Sequence, residues 1–128
     1  MSNNEEIITR CIYDELAKLK MSWGNLVFYG EFGVKSFMME FYVKNTDGGY
    51  TKCFDLPGIK SSAFDIAFMN IYRQVNKIRH DLPDSQRWTN FTLNLSSNGK
   101  FKIDYDYTDL TECAYEYHKK WGKKYLGL

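Results

Sequence analysis

Two aspartates near the C-terminal end have the spacing closest to that of a catalytic or metal site. Asp104 and Asp106 alternate with Ile103 and Tyr105, the pattern of a β-strand. Residues two apart on a strand share a face and lie about 7 Å apart, at a rise of ~3.4 Å per residue. Such a carboxylate pair could bind a metal ion or perform acid–base chemistry. Without a histidine it is a poor metal site, and a solvated strand face is the simpler interpretation.

The negative charge continues beyond this strand. Asp109, Glu112 and Glu116 follow it, and such a run of carboxylates suits contacts with a positively charged protein. The candidate residues for a protein interface are therefore Asp104, Asp106, Asp109 and Glu112.

The histidines and cysteines do not form a recognisable active site. His80 falls near the end of a predicted helix, where the helix dipole favours a cation, and His118 falls in a lysine-rich helix. No phosphate-binding glycine loop and no Gly-x-Ser-x-Gly motif occurs. The three cysteines are widely spaced, which fits free thiols in a reducing cytosol rather than a zinc site. We predict a protein that is not an enzyme and that uses no metal or cofactor.

Basic and aromatic residues share the C-terminal end. They are Lys119, Lys120, Lys123, Lys124, Tyr115, Tyr117, Trp121 and Tyr125. They could form an RNA-binding patch in which rings stack on bases. Alternatively, the lysines complement the dipole of a helix, predicted at roughly 111–123, while the aromatic rings pack inward. The net charge of +1 argues against a non-specific nucleic-acid binder, so direct nucleic-acid binding is not expected.

The elements that position these residues predict an α+β domain. Helical periodicity covers 4–20, with Ser2 or Asn3 as cap, and three strands follow between residues 26 and 56. A long helix capped by Ser62 ends at Pro83, and two strands and the final helix complete the chain. The order α-β-β-β-α-β-β-α with short links favours an antiparallel sheet of about five strands with packed helices. Its length of 128 residues fits a single domain, 1–128.

Side-chain parity predicts the register of the last two strands. A two-residue Asn-Gly turn at 98–99 would place apolar residues opposite polar ones. A three-residue loop, 97–99, with Gly99 in the left-handed region keeps apolar residues opposite each other. The predicted pairs are Leu95 with Phe101, Leu93 with Ile103, Phe91 with Tyr105, Thr92 with Asp104, and Asn90 with Asp106.

The N-terminal residues lack the basic region and apolar stretch of a signal peptide. No apolar run approaches the roughly 18 residues of a membrane helix. A cytoplasmic protein without a membrane partner is expected.

Three stretches of the last third carry a family resemblance. They are Trp88-Thr-Asn-Phe-Thr-Leu, Asn98-Gly-Lys-Phe-Lys-Ile-Asp-Tyr-Asp-Tyr-Thr-Asp-Leu, and Lys124-Tyr-Leu-Gly-Leu after Trp121. They resemble the YezG-like proteins, in which a Trp-x-Asn-aromatic strand precedes Gly-Lys-Phe-x-x-x-Tyr-Asp-Tyr and a terminal Lys-Tyr-Leu-Gly. The match is dense over residues 88–128. Over the first 80 residues, only the order of the secondary-structure elements agrees with that of the family.

The resemblance implies an immunity protein, the antitoxin of a bacterial polymorphic toxin system. Such proteins stay in the producing cell and bind the C-terminal domain of a cognate toxin, often a nuclease. Because a nuclease presents cations around its cleft, the four candidate carboxylates are then expected to bind the toxin. One departure is the near-neutral net charge, since nuclease inhibitors are often acidic.

The shared pattern itself predicts core packing. Alternation places Trp88, Phe101, Ile103, Tyr105 and Tyr107 inside, so the pattern encodes the fold. The surface specific to the partner is then expected in unmatched regions such as residues 31–50.

Overall fold

The computed structural model describes residues 3–128. The helices are α1 (Asn3–Ala17), α2 (Ser61–His80) and α3 (Ala114–Leu126). The strands are β1 (Asn25–Phe32), β2 (Phe37–Lys44), β3 (Tyr50–Lys52), β4 (Asn90–Ser96) and β5 (Phe101–Asp106). All pairings are antiparallel in a five-stranded sheet ordered β3-β2-β1-β4-β5. The predicted class and element order are confirmed. Within residues 3–128 no helix is both long and apolar enough to cross a membrane.

One face of the sheet forms the main core with α1 and α2. Phe28 of the central strand lies 6.3 Å from Phe41, 6.0 Å from Phe91 and 5.9 Å from Phe68 of α2, measured between ring centroids. The helices contribute the stripes that their periodicity predicts. These buried residues are Ile8, Cys11, Ile12 and Leu16 of α1, and Phe64, Ala67, Phe68, Ile71 and Val75 of α2.

The predicted helix ends need small corrections. α1 ends at Ala17 rather than at residue 20, because Lys20 adopts a left-handed φ of 54°. α2 begins at Ser61 with Lys60 at the cap position and no side-chain cap bond, so Ser62 is not the cap. Ser2 and the side chain of Asn3, the predicted cap of α1, lie outside the described residues.

The β4–β5 hairpin has the predicted three-residue loop. Gly99 has a φ of 92°, and its N–H donates to the carbonyl of Ser96 at 2.9 Å. All five predicted residue pairs are present, including Thr92 with Asp104 and Asn90 with Asp106. The register predicted from side-chain parity is therefore confirmed.

Two residues predicted to be core lie at the surface instead. Phe101 is 38% exposed and Tyr107 is 57% exposed. The reason is that β5 is an edge strand and Tyr107 follows its last residue. Trp88 is buried, whereas Ile103 and Tyr105 are half-buried against the main core.

The second face of the sheet is covered by α3, which the sequence placed at 111–123. The helix begins and ends three residues later, and Gly127 closes it with a φ of 71°. The chain then folds back, so that the N–H of Leu128 donates to the carbonyl of Gly122 at 3.3 Å. This arrangement places α3 over the strand face that carries Asp104 and Asp106.

Candidate functional site

One side of α3 is hydrogen-bonded to the sheet through residues at positions 117, 118, 121 and 125. This spacing puts the four side chains on one helix face. The bonds join Tyr117 Oη to Asn90 Oδ1 (2.8 Å), His118 Nε2 to Glu31 Oε1 (2.7 Å), Trp121 Nε1 to Thr92 Oγ1 (2.8 Å) and Tyr125 Oη to Asp104 Oδ2 (2.8 Å). Since these polar groups satisfy one another, a polar sheet face can be buried.

Neither histidine lies in an open catalytic arrangement. The rings of His118 and Tyr29 lie edge to face, 5.2 Å apart between centroids. Both His118 and the Tyr29 hydroxyl are hydrogen-bonded to Oε1 of Glu31. Burial, together with Glu31, raises the pKa of Tyr29 well above its ordinary value. His80 is exposed at the end of α2, where the guanidinium of Arg87 donates to its carbonyl oxygen at 3.1 Å. His118 therefore helps to fix α3 on the sheet.

Asp104 and Asp106 do not form the solvated face that the sequence suggested. Both are half-buried and line a cleft of about 190 Å³ between β5 and α3, together with Lys120 and Lys124. Besides the bond from Tyr125, Asp104 lies 3.9 Å from Lys102 Nζ. Among residues 3–128 no three His, Cys, Asp or Glu side chains group closely enough to hold a metal ion.

Two Asp-x-Thr turns shape the segment between β5 and α3. Asp106 Oδ1 accepts hydrogen bonds from the backbone N–H and hydroxyl of Thr108, and Asp109 Oδ1 accepts the same pair from Thr111. Burial raises the pKa of Asp106, but its hydrogen bonds from Thr108, Tyr117 and Tyr107 together lower it by more, so the pKa lies below its usual value. The bonds from Thr111 likewise lower the pKa of Asp109. Both carboxylates are therefore ionised at neutral pH.

The four candidate carboxylates differ in how accessible they are. Asp109 and Glu112 are exposed, whereas Asp104 and Asp106 lie partly beneath α3. The first pair can contact a partner without moving the helix. The second pair is less accessible and lines the narrow cleft beside Lys120 and Lys124.

The basic and aromatic residues of α3 lie on different sides of the helix. Its four lysines are exposed, while Trp121 is buried and Tyr117 and Tyr125 are half-buried against the sheet. Tyr115 is 76% exposed. The aromatic rings thus pack inward, as the second interpretation of this segment predicted.

The buried cysteines are poor nucleophiles. Burial raises the pKa of both Cys11 and Cys53 to about 11, so their thiols stay protonated at neutral pH. Cys113 is half-buried, and its thiol contacts the carbonyl oxygen of Asp109 at 3.1 Å.

A larger cleft was not predicted from the sequence. It has a volume of about 560 Å³ and lies between the β1–β2 turn, the C-terminal end of α2 and residues 109–111. We call it the Arg79 cleft, after the guanidinium in its wall. Its lining includes Val34, Arg87 and Asp109. The sequence pointed to this region only through residues 31–50, which include the β1–β2 turn and lie outside the family resemblance.

The sequence matches a family of known proteins. The family model for YezG-like immunity proteins matches residues 9–128. The immunity protein YezG of Bacillus subtilis (strain 168) is 28% identical over 118 residues, covering 83% of this chain and 76% of that protein.

Proposed function

The chain belongs to the YezG-like immunity protein family, and from this premise we propose that it neutralises a toxin by binding the toxin's C-terminal domain. The toxin is a secreted polymorphic toxin whose C-terminal domain is a nuclease, and neutralisation takes place in the cytoplasm of the producing cell. The protein acts as a stoichiometric inhibitor without a catalytic activity of its own. Family membership is the observation that carries this proposal.

The acidic segment supplies the charge that a nuclease cleft requires. A protein that binds nucleic acid presents Lys and Arg around its active site, and exposed carboxylates attract that surface. Of the four proposed toxin-binding residues, Asp109 and Glu112 are the most accessible. Asp104 and Asp106 add negative potential from beneath α3.

A second function, RNA binding through α3, has less support. Base stacking needs exposed rings, and Tyr117, Trp121 and Tyr125 instead donate hydrogen bonds into the sheet. The lysines of α3 then remain as a solvated surface.

The proposal is tested by co-expression. We expect the partner to be the C-terminal domain of a large toxin encoded immediately upstream of this gene. We expect co-expression to restore growth and the two proteins to co-purify. Growth arrest that persists despite soluble, folded protein would contradict the proposal.

Neutralising Asp109 and Glu112 is expected to slow association with the toxin. In the variant Asp109→Asn with Glu112→Gln, the asparagine can still accept the Thr111 bonds, so the turn is kept while two charges are lost. Because rim charges act mainly on association, we expect a several-fold lower association rate at low salt and little change in dissociation.

Stopped-flow kinetics with an inactivated toxin domain measures this effect. Glu6→Gln with Asp65→Asn is the matched control, since both residues are exposed and lie on α1 and α2. An association rate equal to that of the parent at low salt would show that these carboxylates do not steer the toxin.

A further inference from the structure

Two regions that the sequence separately predicts to contact the partner meet at the Arg79 cleft. Residues 31–38 of the segment expected to be specific for the partner form one wall, and Asp109 of the acidic segment lies in another. Val34, in the turn between β1 and β2, is 100% exposed. Because it is fully exposed, this side chain is accessible to a partner that enters the cleft.

The guanidinium of Arg79 is only partly used within the protein. Its Nε donates to the carbonyl oxygen of Trp88 at 2.6 Å, and its central carbon lies 5.4 Å from the ring centroid of Phe32. Within residues 3–128, its two terminal NH₂ groups have no acceptor and no carboxylate forms an ion pair with it. Burial and the neighbouring charge of Arg87 lower its pKa, as expected for a cation that lacks a counter-ion.

The other arginine and the two carboxylates of the cleft already have partners. Arg87 pairs with Asp84 at 2.7 Å and donates to three carbonyl oxygens at the end of α2. Glu31 accepts bonds from Tyr29 and His118, and Asp109 accepts bonds from Thr111. Of the two guanidinium groups that line this cleft, Arg79 is therefore the one whose terminal NH₂ groups are unused among residues 3–128.

The wall chemistry favours a carboxylate over a phosphate. Phe37 and Tyr72 stack at 4.2 Å between ring centroids and give the cleft an apolar wall. The carboxylates of Glu31 and Asp109 also line it, and they would repel the repeated charges of a nucleic-acid backbone more strongly than the single charge of one carboxylate. A single carboxylate on a protein side chain can reach Arg79 as a bidentate partner.

We propose that the toxin places an Asp or Glu side chain in the Arg79 cleft, where the free NH₂ groups of Arg79 bind its carboxylate. Val34 contacts an apolar residue of the toxin beside it. This inference rests on the proposed function and deepens it, because it places the interface at the β1–β2 turn and at Asp109. Arginine in a partly desolvated pocket is also a residue type in which binding energy concentrates.

Two substitutions test this inference by calorimetry with the inactivated C-terminal domain of the toxin encoded beside this gene. Arg79→Gln removes the two NH₂ groups of the guanidinium and its positive charge. We expect the Kd for the toxin domain to rise about 30-fold or more, as for a broken buried charge pair. Val34→Glu alters a fully exposed position, leaves the fold intact and adds a repelling charge, and we expect the Kd to rise about 10-fold. Ile66→Glu is the control, because Ile66 is 64% exposed on α2 and does not line this cleft.

The outcomes separate the inference from the function on which it rests. A parent protein that fails to bind the toxin would overturn both. A parent that binds, with Arg79→Gln and Val34→Glu binding equally well, would overturn the cleft and leave the immunity function standing. If Arg79→Gln is unstable in thermal denaturation, Val34→Glu decides, and an unchanged Kd overturns the inference. Loss of affinity for single-stranded RNA in Arg79→Gln, with unchanged toxin binding, also overturns it.

Discussion

Replacing Trp88 with alanine is expected to lower the free energy of unfolding by about 3–5 kcal/mol, the usual cost of truncating a buried large aromatic side chain. Trp88 is 3% exposed, and its ring lies 5.4 Å from Phe32, 5.5 Å from Phe91 and 5.2 Å from Tyr105 between centroids. Natural domains have only about 5–15 kcal/mol in total. The loss of this one side chain therefore removes a large share of the stability of the domain.

Denaturant unfolding followed by far-ultraviolet circular dichroism measures this loss. Tyr115→Ala is the control, because Tyr115 is 76% exposed and surface substitutions usually change stability by less than about 0.5 kcal/mol. Tyr105→Ala also acts through stability but should cost less than Trp88→Ala, since Tyr105 is half-buried. An unfolding midpoint equal to that of the parent, combined with lost toxin binding, would place Trp88 in the interface instead.

Replacing Trp121 with alanine is expected to release α3 from the sheet, at a similar cost of about 3–5 kcal/mol. Trp121 is 6% exposed and lies 5.0 Å from Tyr29 and 5.7 Å from Tyr42 between ring centroids. Its indole N–H also satisfies the hydroxyl of Thr92, which is 2% exposed. A buried hydroxyl that loses its partner adds to the cost.

Hydrogen exchange distinguishes this local effect from global unfolding. In Trp121→Ala we expect exchange of the α3 amides to quicken while the amides of α2 stay protected. Trp121→Phe keeps one ring but loses the hydrogen bond and part of the buried ring volume, so it should cost more than about 1 kcal/mol and less than Trp121→Ala. Equal protection of α3 in the parent and in Trp121→Ala would mean that this residue does not fix the helix.

The sheet could be predicted because its signals are local. The alternation around Asn98-Gly99 permits one register that keeps apolar residues opposite each other, and the structure has that register. The helical stripes were equally clear, because a buried helix face repeats every three to four residues. The helix ends differ from the prediction by a few residues. Phe101 in the edge strand and Tyr107 just after it are exposed, whereas the sequence predicted them to be core.

The surroundings of the carboxylates could not be predicted in the same way. In the sequence, Thr92, Asp104 and Asn90 have the pattern of a solvated strand face. They are covered because the hydroxyls of Tyr117 and Tyr125 and the indole of Trp121 reach them from α3. The docking side of this helix consists of aromatic side chains with polar tips. Periodicity does not encode such pairings, since each depends on the distance between two remote elements.

The Arg79 cleft was missed for a related reason. Its walls come from three segments that are far apart in the sequence. In the sequence, an arginine near the end of a helix appears only as a complement to the helix dipole. That its NH₂ groups lack an acceptor becomes visible once Trp88 and Phe32 are placed around it.

We propose that this protein inhibits a toxin by forming a complex with it, which a titration tests. The purified toxin domain, at a concentration far above the Kd, is titrated with this protein while toxin activity is followed. We expect activity to fall linearly and to be abolished at a fixed molar ratio, with a complex of the same stoichiometry in size-exclusion chromatography. Complete protection at a small fraction of that ratio would mean that the protein turns over, and would rule out inhibition by stoichiometric binding.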